Sequence, residues 1–176
     1  MDEATSEKLL RIHGYLALAA FIFVLPLSVI VIALGRRWDL WLIAHITLVM
    51  AATLMGVASV AFGVAGSQVR GHLTSTHQKL GVALCAAYVL IVCNGIYISL
   101  KWNNDRVSAP LRDKIHWTLG RFLLVFSFAV CFHGYVAGGW GLWVYVVTVV
   151  FWFIWLLLYG VLGILACTAV SEEESV

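Results

Sequence analysis

The chain has 176 residues, of which 62% are hydrophobic and 11% charged, with a formal net charge of +2. Ordinary soluble domains are about one-quarter charged, so a water-soluble globule of this size is excluded by the apolar surface it would have to hide. The small charge, with no basic stripe interleaved with aromatics, excludes a nucleic-acid partner and leaves membrane lipid as the surrounding medium.

An apolar run of about 20 residues crosses a hydrocarbon core of roughly 30 Å. Five such runs occur, over 12–34, 40–66, 77–100, 115–137 and 140–170. Backbone amides in lipid must be satisfied within the segment, so each run is expected to be a helix; the alternation required for a barrel is absent. The opening MDEATSEKLL is acidic and no small-residue cleavage pattern follows, so the first span is expected to act as the insertion signal. Pro26 falls mid-span and is expected to bend that helix. After the third span comes the most polar stretch, KWNNDRVSAPLRDK, whose Pro110 marks a helix start. Trp38, Trp41, Trp102, Trp117, Trp140 and Trp143 lie near segment ends, as interfacial aromatics do. Trp152 and Trp155 lie inside the last span, where packing or lipid contact is expected. Cys85, Cys93, Cys131 and Cys167 all fall within spans without CxxC spacing and are read as buried thiols.

Lys8, Arg11, Arg70 and Lys79 lie on the side of the N-terminus. Arg36, Arg37, Lys101, Arg106, Arg112, Lys114 and Arg121 lie on the other. The richer side faces the cytoplasm, which places the N-terminus outside and the acidic tail SEEESV inside.

Histidine is costly against lipid, and ionisable groups within spans usually serve a site. His13 and His77 open the first and third spans, which run parallel, so both lie near the outer face. His45 and His116 lie near the starts of the second and fourth, which run the other way, so both lie near the inner face. Two imidazoles from parallel helices, one on each side of an iron, form the axial ligand set of a six-coordinate haem held in a bundle core. HQKLG places Gly81 four residues after His77, and HWTLG places Gly120 four residues after His116. Positions four apart share a helix face, so each glycine leaves room for a flat macrocycle beside its histidine. Ala17 and Ala20 are small on the His13 face. His45 is less clear, with Val49 next on its face and Gly56 only later.

The order of His-Gly at His13, His45 in the next helix, H-x3-G at His77 and H-x3-G-R from His116 to Arg121 resembles the cytochrome b561 family. The form most similar is the membrane part of proteins that often carry an extracellular cytochrome or DOMON-type domain. The resemblance covers about 12–135, the four haem-binding helices, with the last helix as an extra, peripheral one. It implies an all-α integral membrane protein with a four-helix dihaem core and two b haems, with His13 and His77 on one iron and His45 and His116 on the other. Electrons would cross the membrane between a donor and an acceptor such as a ferric complex or a redox protein. It also implies a transmembrane oxidoreductase rather than a passive carrier, and a homodimer. The reductase it implies is of the ferric- or ascorbate-linked type, although the six-helix branch's ascorbate residues do not map onto this chain one by one.

His133 is 17 residues beyond His116, about 25 Å along the axis, and so reaches the outer level, where it competes with His13 or His77 as a ligand. His72 falls in the outer loop. Anionic haem propionates need cationic partners, for which Arg70 and Lys79 lie outside and Lys114 and Arg121 inside. The alternatives are a non-haem transporter with histidines along its pathway, or a purely structural bundle. The first usually adds intramembrane carboxylates, and here every carboxylate is expected to be terminal or in a loop. The second leaves the paired histidines unexplained.

Overall fold

The computed structural model describes residues 1–35, 40–69, 73–101 and 110–173, with the backbone alone at 34, 35, 69 and 163–173. Arg36, Arg37, Trp38, Arg70, His72, Trp102 and Arg106 lie outside the described residues, as does the side chain of Cys167. Helix is the only regular structure among the described residues, and five helices are long and apolar enough to cross a membrane.

Helix α1 covers residues 3–35 and begins well before the apolar run expected from residue 12. Asp2 caps it by accepting from the Thr5 amide at 3.0 Å, and Glu7 pairs with Arg11 at 2.7 Å one turn apart. These polar turns extend the helix ahead of the hydrophobic stretch, so His13 lies ten residues into α1 rather than at its start. Ser6 is buried and donates to the Gly66 carbonyl at 2.6 Å, fastening this extension to the next helix.

Pro26 acts on α1 in a specific way. The helix is regular over Glu3–Leu18, widens to a π-helix over Ala19–Val24, and returns to α-helix over Leu25–Gly35. Proline has no N–H to offer the Ile22 carbonyl four residues back. That carbonyl accepts from the Trp155 indole instead, at 2.8 Å. Trp155 therefore does more than pack or face lipid.

Helix α2 spans Trp41–Gly66 and α3 spans Thr76–Leu100. The start of α3 is set by a capping box in which Ser75 and Gln78 satisfy each other's amides. Helix α4 spans Leu111–Gly138, with Pro110 as its N-cap residue, and begins one turn earlier than the apolar run at 115. Gly139 at φ +62° ends it in the left-handed conformation that glycine adopts without penalty, and α5 follows over Leu142–Glu173.

Packing is closest within two antiparallel hairpins, α1 with α2 and α3 with α4. Helix α1 also meets α4, and α5 lies against both, outside the four-helix core. The backbones of α2 and α3 stay further apart. Leu25, Ala52, Leu84, Tyr88, Leu123 and Val130 form a core drawn from all four central helices. Tyr88 crosses between hairpins, its hydroxyl donating to the Val49 carbonyl at 3.2 Å and lying 3.1 Å from Thr53 Oγ1. The outward faces are apolar and open, with Leu90 and Phe122 about 70% exposed, as a lipid-facing surface requires. The cysteines divide accordingly: Cys131 is buried, Cys85 half-buried and Cys93 exposed on that surface, so only the first fits the expected buried thiol.

Candidate functional site

Each central helix contributes one of the four paired histidines. His13 Nδ1 lies 2.8 Å from the Ser59 carbonyl and His45 Nδ1 lies 3.0 Å from the Ser28 carbonyl. A carbonyl only accepts, so in both rings Nδ1 carries the proton and donates, leaving the Nε2 lone pair free for a ligand. His77 Nδ1 and His116 Nδ1 are buried and make no hydrogen bond. The backbone of Val130 lies beside the first ring and that of Ile91 beside the second.

The structure brings the histidines together in twos. The rings of His13 and His77 have centres 5.9 Å apart at 68°. His45 and His116 lie close enough to interact electrostatically. His133 also reaches His77, with ring centres 6.3 Å apart and planes within 7° of parallel, and it is exposed.

A repeat underlies this placement. From histidine to the backbone unit that backs a partner's ring is fourteen residues in α2 (45 to 59), in α3 (77 to 91) and in α4 (116 to 130). In α1 the interval is fifteen (13 to 28), and the extra residue falls where the π-helix inserts one. Eighteen residues after His45, His77 and His116 stand Gly63, Gly95 and Gly134. Eighteen residues make about five full turns, so each glycine shares its histidine's face at the opposite membrane depth. There it receives the hairpin partner's imidazole. A Cβ on Gly63 would lie 2.9 Å from His13 Nδ1, on Gly95 3.0 Å from His116 Cε1, and on Gly134 2.6 Å from His77 Cε1. The matching position in α1 is Ile32. The sequence reading missed Ser28, Ser59 and these three glycines because it sought small residues four positions from each histidine. The recurrence of His-x17-Gly on three successive spans was the available signal.

The glycines expected from sequence have the opposite surroundings. A Cβ on Gly81 or Gly120 would meet nothing within 4 Å, so both border open space. Lys79 is exposed near the start of α3. The Arg121 guanidinium lies over the Tyr159 ring of α5 at 5.6 Å, a cation–π contact. Arg70 lies outside the described residues.

Asp113 corrects the expectation that every carboxylate is terminal or in a loop. It sits in the first turn of α4, only 3% exposed, with Arg112 Nε 3.4 Å away and His116 one turn on. A carboxylate there complements the positive end of the helix dipole. It is the one buried carboxylate among the described residues.

No group of three or more His, Cys, Asp or Glu among the described residues is arranged to hold a metal ion. Histidines in twos suit an iron whose remaining positions are filled by a flat macrocycle. With metal–imidazole bonds of roughly 2 Å, two axial rings on one iron have centres roughly 6 Å apart. The 5.9 Å between His13 and His77 fits that value, as does the 6.3 Å between His77 and His133, and Gly81 and Gly120 border open space one turn beyond His77 and His116.

The sequence matches the family model described as eukaryotic cytochrome b561 over residues 12–141, which is 130 of the 176 residues. Neither a curated protein nor a solved structure matches the chain.

Proposed function

The chain belongs to the cytochrome b561 family, and on that premise we propose that it carries two b haems, one held by His13 and His77 and one by His45 and His116. Membership makes it an integral membrane protein that binds b-type haem and acts as a transmembrane oxidoreductase. The observation that supports two sites is the separation of the histidines into two pairs, His13 with His77 from α1 and α3 and His45 with His116 from α2 and α4, toward opposite ends of the four-helix bundle.

Haem supplies a site that takes up and releases one electron at a time; the protein supplies orientation, burial and hydrogen bonding. His13 and His45 present Nε2 because their Nδ1 protons are committed to Ser59 and Ser28. Gly81 and Gly120 keep the space beside His77 and His116 clear. The apolar core around Leu25, Ala52, Leu84 and Tyr88 lies between the two levels and keeps water from the interval an electron crosses. Lys79 is placed to neutralise an anionic edge at the His77 end. At the other end Arg121 serves that role from its position against Tyr159.

With the N-terminus outside, the His13–His77 site faces the exterior and the His45–His116 site the cytoplasm. On this reading the donor and the acceptor, the latter a ferric complex or redox protein, meet the protein on opposite sides of the membrane. The deciding experiment is the haem-to-protein ratio of the wild type, His13→Ala and His116→Ala. Two haems in the wild type and one in each variant are expected. A folded but colourless wild type, or variants that lose no haem, would reject the assignment.

A further inference from the structure

The two histidines whose Nδ1 protons are committed are held differently. Around His13, Ser59 contributes two oxygens: its carbonyl at 2.8 Å and its hydroxyl at 2.9 Å from Nδ1. The hydroxyl proton is directed to the His13 carbonyl at 2.9 Å, so its lone pairs are turned toward the ring N–H. Around His45, Ser28 contributes its carbonyl alone, at 3.0 Å. Its hydroxyl is spent on the Leu25 carbonyl of its own helix, at 2.6 Å. Both serines are almost wholly buried, so water does not even out this difference.

We propose that Ser59 is a positioning residue that lowers the reduction potential of the His13–His77 site through its hydroxyl, an effect with no counterpart at the His45–His116 site. The inference rests on the two-site reading above. An acceptor on Nδ1–H draws the proton away from the ring and makes Nε2 a more basic donor. A more basic axial ligand favours the ferric over the ferrous state, and so lowers the potential. His13 has two acceptors and His45 one. The carbonyl of Ser59 belongs to the backbone and survives any substitution, so the hydroxyl is the separable part. Removing it leaves the His13 carbonyl with its helical partner, the amide of Ala17, so α1 retains its backbone bonds.

The test is an equilibrium redox titration of the purified, haem-loaded protein, with ferric electron paramagnetic resonance spectra of the same samples. Ser59→Ala is expected to raise one of the two midpoint potentials and to shift one low-spin ferric signal, with the other potential and signal unchanged. Ser59→Thr, which keeps the hydroxyl, is expected to match the wild type in both. Ser28→Ala is expected to leave both potentials in place. If Ser59→Ala sheds one haem while Ser59→Thr retains two, the positioning role is again supported. Unmoved potentials in Ser59→Ala, a downward shift, or an equal shift in Ser28→Ala would overturn the proposal while leaving two bound haems intact. A wild type without haem would overturn the two-site reading itself, and the proposal with it.

Discussion

The Trp155 indole donates to the Ile22 carbonyl at 2.8 Å and so ties α5 to the one turn of α1 where Pro26 leaves an acceptor unclaimed. The bond joins residues 133 positions apart in sequence. It gives the fifth helix a fixed register on the core, which apolar packing against lipid-like surfaces does not by itself impose.

Replacing Trp155 by Phe keeps much of the ring and removes the donor. A net hydrogen bond is worth about 1 kcal/mol, and more if the acceptor is left buried without a partner. Trp155→Phe is therefore expected to destabilise the protein by roughly 1–2 kcal/mol in detergent unfolding. Pro26→Ala returns an N–H to the helix, so the Trp155→Phe cost should shrink in that background. Equal costs in both backgrounds would show that the two residues are not coupled.

Gly134 and Gly95 admit the imidazoles of His77 and His116, and a methyl group at each would crowd its ring at 2.6 and 3.0 Å. Overpacking of this kind costs about 1–3 kcal/mol. Gly134→Ala should weaken haem retention at the His77 site more than Gly95→Ala weakens it at the His116 site. Gly160→Ala, where a Cβ meets nothing within 4 Å, serves as the neutral control. Haem content after size-exclusion chromatography reads the difference.

Tyr88 joins the two hairpins through its hydroxyl and packs edge-on against Phe21, with ring centres 5.9 Å apart. Tyr88→Phe removes the hydroxyl alone and is expected to cost about 1 kcal/mol. Tyr88→Ala also empties a core position and is expected to cost roughly 3–5 kcal/mol. Unfolding midpoints of the two variants should keep that order.

The Arg121 guanidinium over Tyr159 predicts a smaller effect. Tyr159→Phe retains the ring face and should be close to neutral, whereas Tyr159→Leu should lose about 0.5–1 kcal/mol. If both variants behave alike, the contact contributes nothing to the docking of α5.

The five apolar helices and the approach of His13 to His77 were legible in the sequence because lipid permits few solutions. A long apolar run must close its hydrogen bonds on itself as a helix, and the direction of each helix then assigns its residues to one face or the other. The cap at Pro110 was equally local. Of the groups that receive the imidazoles, Gly63, Gly95 and Gly134 carry a signal in the His-x17-Gly recurrence, whereas the carbonyls that meet the rings were decided by the tertiary structure. Ser59 and Ser28 both meet the rings through backbone carbonyls, which every residue possesses, and Ser59 adds its hydroxyl. Which carbonyl serves depends on how far two antiparallel helices are rotated and how closely they approach. The burial of Asp113, the π-helix that absorbs one extra residue in α1, and the partner found by Trp155 were likewise beyond hydropathy. Apolar length records that a segment is in the membrane, but not which of its faces meets a neighbouring helix.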